Sequence, residues 1–288
     1  MTNDVLVITG AGGMGLAVAR RLGSGTQVLL ADIDPIGLEA AADRLSEDGY
    51  RVATCVVDVS SRESVAALAK LASGLGPVTR LVHTAGLSPV QASVSAILAV
   101  DLLGVALVAE EFGEVVAPGG AGVVIASMSG YFHPGAVAPE QAAALRNAPA
   151  DELLSLPVAA RENFKDAGMA YSFAKFANRL RVQGASRTWG ERGARINSVS
   201  PGVISTAMGR AELSGASGTR MRGMIENSAA KRPGTPEDIA AAVEFLLSPA
   251  ADFVSGIDLL VDGGAVAAQV SYTSGPRTAD IPGKRHES

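Results

Sequence analysis

Short apolar, β-branched runs alternate along this chain with longer Ala/Leu-rich periodic segments. Residues 5–8, 27–31, 51–57, 80–83, 122–126, 195–199 and 258–261 read as strands. Residues 14–22, 35–48, 61–73, 91–116, 170–190 and 236–247 read as helices, with apolar positions recurring at helical spacing. Strand and helix in strict alternation predict an α/β fold: a doubly wound parallel sheet of about seven strands with helices on both faces. The strands are nearly continuous apolar runs, which suits a sheet buried on both sides. Two segments break the rhythm. Residues 131–169 hold weakly helical pieces punctuated by Pro134, Pro139, Pro149 and Pro157, and residues 271–288 are polar, carry Pro276 and Pro282, and lack an apolar period. The expected organisation is one domain over residues 1–270 and a flexible tail over 271–288.

Composition narrows the class. Of 288 residues, 48% are hydrophobic and only 4% aromatic, so the core must be built from Ala, Val, Leu and Ile. A net charge of −5 argues against nucleic acid or an anionic membrane as partner. Cys55 is the single cysteine, which excludes an internal disulfide and fits a reducing compartment. The chain opens without a signal-peptide pattern and contains no apolar run long enough to span a membrane, so the expected location is cytoplasmic. Three histidines and one cysteine without ligand spacing predict no bound metal.

The first strand runs into Thr9-Gly10-Ala11-Gly12-Gly13-Met14-Gly15 and then a helix. Gly10, Gly12 and Gly15 form a G-x-G-x-x-G turn in the setting that binds a pyrophosphate: a strand before, and after it a helix N-terminus with unpaired N–H groups. Gly13 and Met14 lie in the same turn. Asp32 ends the next strand, placed either to bind a ribose 2′-hydroxyl and repel a 2′-phosphate or to cap a helix or turn. No arginine follows it directly, so NAD is favoured over NADP. This makes the fold Rossmann-type. Asp58, next to Val59 at the end of the third strand, either contacts the adenine or caps the helix starting near Ser61. Farther on, Tyr171 and Lys175 fall one turn apart on a predicted helix. A phenol titrates near pH 10, and an ammonium one turn away lowers that value, making a plausible acid/base pair from a spacing that chance can also produce.

Together these residues resemble the short-chain dehydrogenase/reductase family, over roughly residues 3–265. The resemblance implies that Ser127, in Val124-Ile125-Ala126-Ser127-Met128-Ser129-Gly130, is the catalytic serine, with Ser129 as runner-up, and that Tyr171 and Lys175 are the catalytic tyrosine and lysine. The family's alanine–glycine pair after the fourth strand is Ala85-Gly86. Its P-G-x-x-x-T element is Pro201-Gly202-Val203-Ile204-Ser205-Thr206, where Pro201, Gly202, Val203 and Thr206 would hold the nicotinamide amide. Arg232 to Ala240 and Asp262-Gly263-Gly264 also look typical. Three departures stand out. The glycine turn is one residue shorter than the family's usual form. His83 and Thr84 replace two asparagines, and His83 reads as structural. Asp101, in Asp101-Leu102-Leu103-Gly104, replaces the asparagine to which the family assigns a proton-relaying water. An aspartate there can accept from that water and would stabilise Lys175 as ammonium if it faces inward.

Tyr171 follows Ser127 by 44 positions, far beyond the family's usual spacing. The extra length falls in 131–169 and resembles the insertion of the bacterial 3α-hydroxysteroid dehydrogenase/carbonyl reductase type, where it covers helix surface that otherwise joins subunits. Tyr131, His133 and Met169 border it, and either line a substrate cleft or pack the insertion onto the core. Residues 203–230 are expected to form a mobile lid. The implied activity is NAD-dependent interconversion of a secondary alcohol and a ketone, with a hydroxysteroid or other bulky carbonyl compound as candidate substrate, in a homo-oligomer with an altered interface. Rival readings are an epimerase or lyase that retains NAD, and an NAD-sensing protein with weakened catalysis.

Overall fold

A computed structural model describes residues 4–133, 137–215 and 217–273. Seven strands, β1 (Val5–Thr9), β2 (Gln27–Asp32), β3 (Arg51–Val56), β4 (Val78–His83), β5 (Val116–Ile125), β6 (Arg195–Pro201) and β7 (Asp258–Val261), form one sheet in the order β3-β2-β1-β4-β5-β6-β7. Every pairing is parallel. The strand order reverses between β1 and β4, which opens a crevice at their C-terminal ends.

Period-two alternation sorts the strand side chains to two cores. Val5, Val7, Leu29 and Leu81 pack with α3 (Arg62–Leu75), α5 (Val105–Gly113) and α7 (Ala167–Glu191). Leu6, Ile8, Val28 and Leu30 pack with α1 (Gly13–Leu22), α2 (Pro35–Glu47) and α10 (Pro236–Leu247) on the other face. The doubly buried sheet expected from the apolar runs holds for the central strands. Edge strand β3 instead alternates between exposed and half-buried positions, and β7 is half-buried throughout, because an edge strand has a neighbour on one side only.

The helix expected over 91–116 is three pieces. α4 (Val94–Ile97) passes through a π-helical stretch, Leu98–Gly104, into α5. Residues 131–169, expected as an insertion, hold α6 (Pro139–Asn147) and short 3₁₀ turns at Ala150–Ser155, Pro157–Ala159 and Arg161–Asn163. Their buried Leu145, Ala150, Leu153 and Phe164 join the core beside Phe173 of α7. Charges reinforce the contact. Glu110 of α5 accepts from the Ala150 N–H at 2.8 Å and pairs with Arg62 at 2.8 Å and Arg181 at 3.1 Å, while Arg181 also donates to the Leu145, Arg146 and Ala148 carbonyls. The insertion therefore covers the α5–α7 face. Pro134 lies outside the described residues.

The region expected to be a lid folds as α8 (Ala207–Ser214) and α9 (Gly218–Asn227). These rest on a small cluster of Met128, Val203, Met224, Ala265 and Val266, separate from the two main cores. α11 (Ala265–Thr273) carries helix into the first residues of the segment expected as a tail, and 274–288 lie outside the described residues.

Candidate active site

The glycine turn fits the phosphates of a dinucleotide. Gly10 has φ of +91°, and a side chain there would strike Thr84 and the Ala85 backbone, so only glycine closes this turn. A side chain at Gly12 would meet nothing, leaving open space over the start of α1. α1 has no side-chain cap and no acidic residue in its first turn, unlike α3, α7 and α8, which Ser61, Asp166 and Thr206 cap. Its first N–H groups face the position an anion takes, and Gly13, Met14 and Gly15 form that first turn. Thr84 ties the turn to β4 by donating to the Thr9 and Gly10 carbonyls, each at 2.9 Å. That is a clear task for a residue that departs from the family pattern.

Asp32 sits half-buried at the crevice, and its carboxylate accepts from the Ala11 N–H at 2.7 Å and the Asp34 N–H at 3.1 Å. Its turn-capping role is thus realised, and the same carboxylate lies beside the phosphate turn where a ribose would bind. Asp58 does not cap α3. Ser61 does, and Asp58 accepts from Ser60 N–H and Oγ at 2.9 and 2.6 Å in a local turn, with Val59 buried next to it. Ala85 and Gly86 follow β4 at the crevice. Pro201 ends β6, Gly202 packs against Asp262, and Val203 is buried. Thr206 caps α8 by accepting from the Gly209 N–H at 3.0 Å.

Ser127 lies just past β5 and Tyr171 one turn into α7. They come together because the β5 end packs directly on α7. A side chain at Gly130 would lie 2.7 Å from the Lys175 and Phe176 backbone, so this approach needs glycine. Both residues line a cleft of about 690 Å³, floored by the β5 and β6 ends and walled by α7, α8 and α9. Ser127 accepts from the Ser129 N–H at 3.1 Å, and its hydroxyl beside Tyr171 favours the phenolate. Ser129, the alternative serine, is hydrogen-bonded to Ser172 at 2.8 Å.

Lys175 and Asp101 lie beneath, with side chains 5% and 0% exposed and 2.9 Å apart. Asp101 sits in the π-helical stretch, and its inward-facing carboxylate accepts also from the Leu87 N–H at 3.1 Å. Burial works against the Lys175 ammonium, but Asp101 and Tyr171 outweigh it and raise its pKa. Burial raises the Asp101 carboxyl, held back by Lys175. The expected lowering of the Tyr171 phenol by Lys175 is present but outweighed. Burial pushes the phenol up, Lys175 and Ser127 pull it down, and Asp101 and Glu212 push it up again.

Sequence reasoning missed several cleft residues. Phe132, Glu212 and Arg220 line it, and Ser88 donates to Glu212 at 2.6 Å, tying α8 to the β4–α4 connection. Nothing in a single sequence pairs positions 88 and 212. Of the insertion's border residues, Met169 lines the cleft. Tyr131 instead donates to Asp258 at 2.7 Å under the Arg179 guanidinium, and His133 packs on Phe173 and Phe176. His83 is structural as expected: fully buried, with Nδ1 2.6 Å from Thr9 Oγ1, and driven down to about 3 by burial and then by Lys175. Among the described residues no group of His, Cys, Asp and Glu could hold a metal, and no helix is long and apolar enough to cross a membrane.

Residues 4–144 match the family model for short chain dehydrogenases, and residues 153–266 match that for enoyl-(acyl carrier protein) reductases of the same group. A protein named short-chain dehydrogenase/reductase bsc3, from Alternaria brassicicola, is 41% identical across 93% of this chain and 97% of its own length. The chain belongs to the short-chain dehydrogenase/reductase family. It is 30% identical to the galactitol 2-dehydrogenase (L-tagatose-forming) of Cereibacter sphaeroides, over 89% of this chain and 92% of that one. The D-threitol dehydrogenase of Mycolicibacterium smegmatis is also 30% identical, over 92% and 93%. Levodione reductase superposes with a TM-score of 0.73 at 25% identity, covering 93% of this chain and 99% of its own. Family membership makes the protein an oxidoreductase of the alcohol/ketone type that uses a nicotinamide cofactor.

Proposed function

We propose that the protein is an NAD-dependent dehydrogenase/reductase that interconverts a secondary alcohol and a ketone. The observation that carries this reading is the convergence of Ser127 and Tyr171 on one cleft above the buried Lys175–Asp101 pair, beside the glycine turn. Bound NAD supplies the hydride acceptor, and the protein supplies position, charge and a proton path. Gly12, Gly13, Met14 and the first turn of α1 hold the phosphates, and Asp32 the ribose. Asp58 and Val59 border the adenine. Ala85, Gly86, Pro201, Gly202, Val203 and Thr206 frame the nicotinamide. A carboxylate at position 32 repels a 2′-phosphate, which favours NAD over NADP.

Ser127 donates to the substrate oxygen and so stabilises negative charge that develops there. Tyr171 exchanges the hydroxyl proton with the same oxygen. Lys175, kept as ammonium by Asp101, favours the phenolate and binds the nicotinamide ribose. Asp101, with its second oxygen on the Leu87 N–H, anchors the inner end of the proton path. The protein acts as a homo-oligomer, and because the insertion covers the α5–α7 face, assembly uses other surfaces. Light scattering that gave a 222-symmetric tetramer using both of the family's usual interfaces would contradict this.

The test is an NADH-absorbance screen of secondary alcohols, 3α-hydroxysteroids included, with NAD and NADP in parallel. Net NADH formation with NAD preferred is the expected result. Activity with NADP alone would remove the role given to Asp32. Turnover without net NADH would favour an epimerase or lyase.

A further inference from the structure

The chain has seven methionines, and apart from Met1, which lies outside the described residues, every one lines the cleft above Ser127 and Tyr171. They come from five parts of the fold: Met14 from the glycine turn, Met128 from the end of β5, Met169 from the insertion's junction with α7, Met208 from α8, and Met221 and Met224 from α9. Sequence separation does not explain this gathering, and the two main cores contain no buried methionine. Met128 and Met224 are buried, Met14, Met169 and Met221 half-buried, and Met208 exposed, so the cleft carries thioethers from floor to rim.

Several polar groups of the same cleft are held within the protein. Ser129 is bonded to Ser172, Glu212 accepts from Ser88, and Asp166 accepts from the Met169 N–H. Arg220 faces the Phe132 ring at 6.0 Å. Beyond Ser127 and Tyr171, methionine is the commonest side chain lining the cleft, with Ser217 and Arg220 among its remaining polar groups. An unbranched, polarisable side chain with three rotatable bonds fits irregular apolar shapes, whereas a polyol needs fixed hydrogen-bond partners.

We infer that the methionine-lined cleft accepts bulky apolar secondary alcohols and ketones of differing outline, and discriminates against polyols. The inference rests on the alcohol/ketone reading above and names the substrate class of that site. α8 and α9 sit on their own small cluster, so their Met208, Met221 and Met224 can reshape without disturbing the main cores, against which Met14 and Met169 pack.

The experiment compares cyclododecanol, decahydro-1-naphthol and a 3α-hydroxysteroid with galactitol and D-threitol, measuring kcat/KM for NADH formation. Calorimetric titration of the corresponding large ketones and of the polyols onto the protein gives an activity-independent readout. Each large apolar alcohol is expected to exceed both polyols by about 100-fold or more, the factor that burying roughly four additional methylene groups supplies. The large alcohols themselves should lie within about tenfold of each other. Replacing Met208, Met221 and Met224 together by leucine keeps the wall apolar but stiffens it, and should widen that spread. A polyol preference, or a triple leucine variant with an unchanged spread, would overturn the inference while leaving the alcohol/ketone reading intact. If no alcohol of either class is oxidised, the alcohol/ketone reading fails. The titration then decides the cleft's class alone: tight large ketones and no polyol binding uphold it, and the reverse overturns it.

Discussion

Lys175 carries a partner that the family pattern does not supply. The Asp101 carboxylate, 2.9 Å away and fully buried, raises the Lys175 pKa and also raises that of Tyr171. Asp101→Asn keeps the shape and removes the charge, so both values should fall. With the Tyr171 phenolate as the proposed base of alcohol oxidation, the rising limb of the pH profile of kcat/KM should move to lower pH. A limb that stays in place, or moves to higher pH, contradicts the coupling described here. His83 gives a separate signature in stability. Its folded pKa is about 3, below the ordinary value near 6.5, because burial and then Lys175 oppose the charged form. The unfolded chain therefore binds a proton that the folded state refuses. The contribution is fully present above pH about 6.5 and is lost as pH falls toward the folded value, at up to about 1.4 kcal/mol per pH unit. His83→Asn should flatten the acid limb of a urea-denaturation pH series, and an unchanged slope would remove His83 as its source. The residue types at 83 and 101 were readable as departures from a pattern. The stabilisation of Lys175 by Asp101 was foreseen on condition that Asp101 faces inward; that orientation, the rise of the Tyr171 phenol and the depressed His83 pKa were not, because they depend on burial reached only through the fold.

The elements divide by how local their signals are. β1, the glycine turn, α1 and α10 follow from short apolar runs, caps and helical periods, and they appear where those signals stand. The π-helical stretch Leu98–Gly104 has no such signal, since its apolar residues suit an unbroken helix equally well, and yet it carries the buried Asp101. The insertion was visible as extra length and proline punctuation. Its attachment was not, because Leu145, Ala150 and Leu153 find their partners across α5 and α7. Leu153 is fully buried, so Leu153→Ala should destabilise the protein by about 2–5 kcal/mol in equilibrium denaturation. A loss below about 0.5 kcal/mol, the scale of a surface substitution, would mean the insertion is not integral to the core. Residues 203–230 stood out for their Gly, Ser and Met content and were expected as a lid; the structure shows them as α8 and α9 beside the cleft. Their tie through Ser88 and Glu212 was not legible, since that bond joins positions 124 residues apart.

For the whole molecule, the doubly wound sheet puts three loops at one end of the strands. The turn after β1, the serine after β5 and the P-G element after β6 meet there, with α7 supplying tyrosine and lysine across the β5 end. That assembly is the proposed seat of the alcohol/ketone chemistry; the family resemblance pointed to its residues, and the alternation of strand and helix puts their loops at one end. The substrate was less legible, because the cleft wall is built from methionines scattered between positions 14 and 224. The most direct test of the central claim is NADH formation from a secondary alcohol by Tyr171→Phe, with NAD binding measured on the same sample. Loss of turnover by about 10²–10⁴-fold with NAD affinity retained is predicted, since the phenyl ring keeps its packing and loses only the proton-exchanging oxygen. Turnover near the wild-type level with NAD still bound would contradict the account.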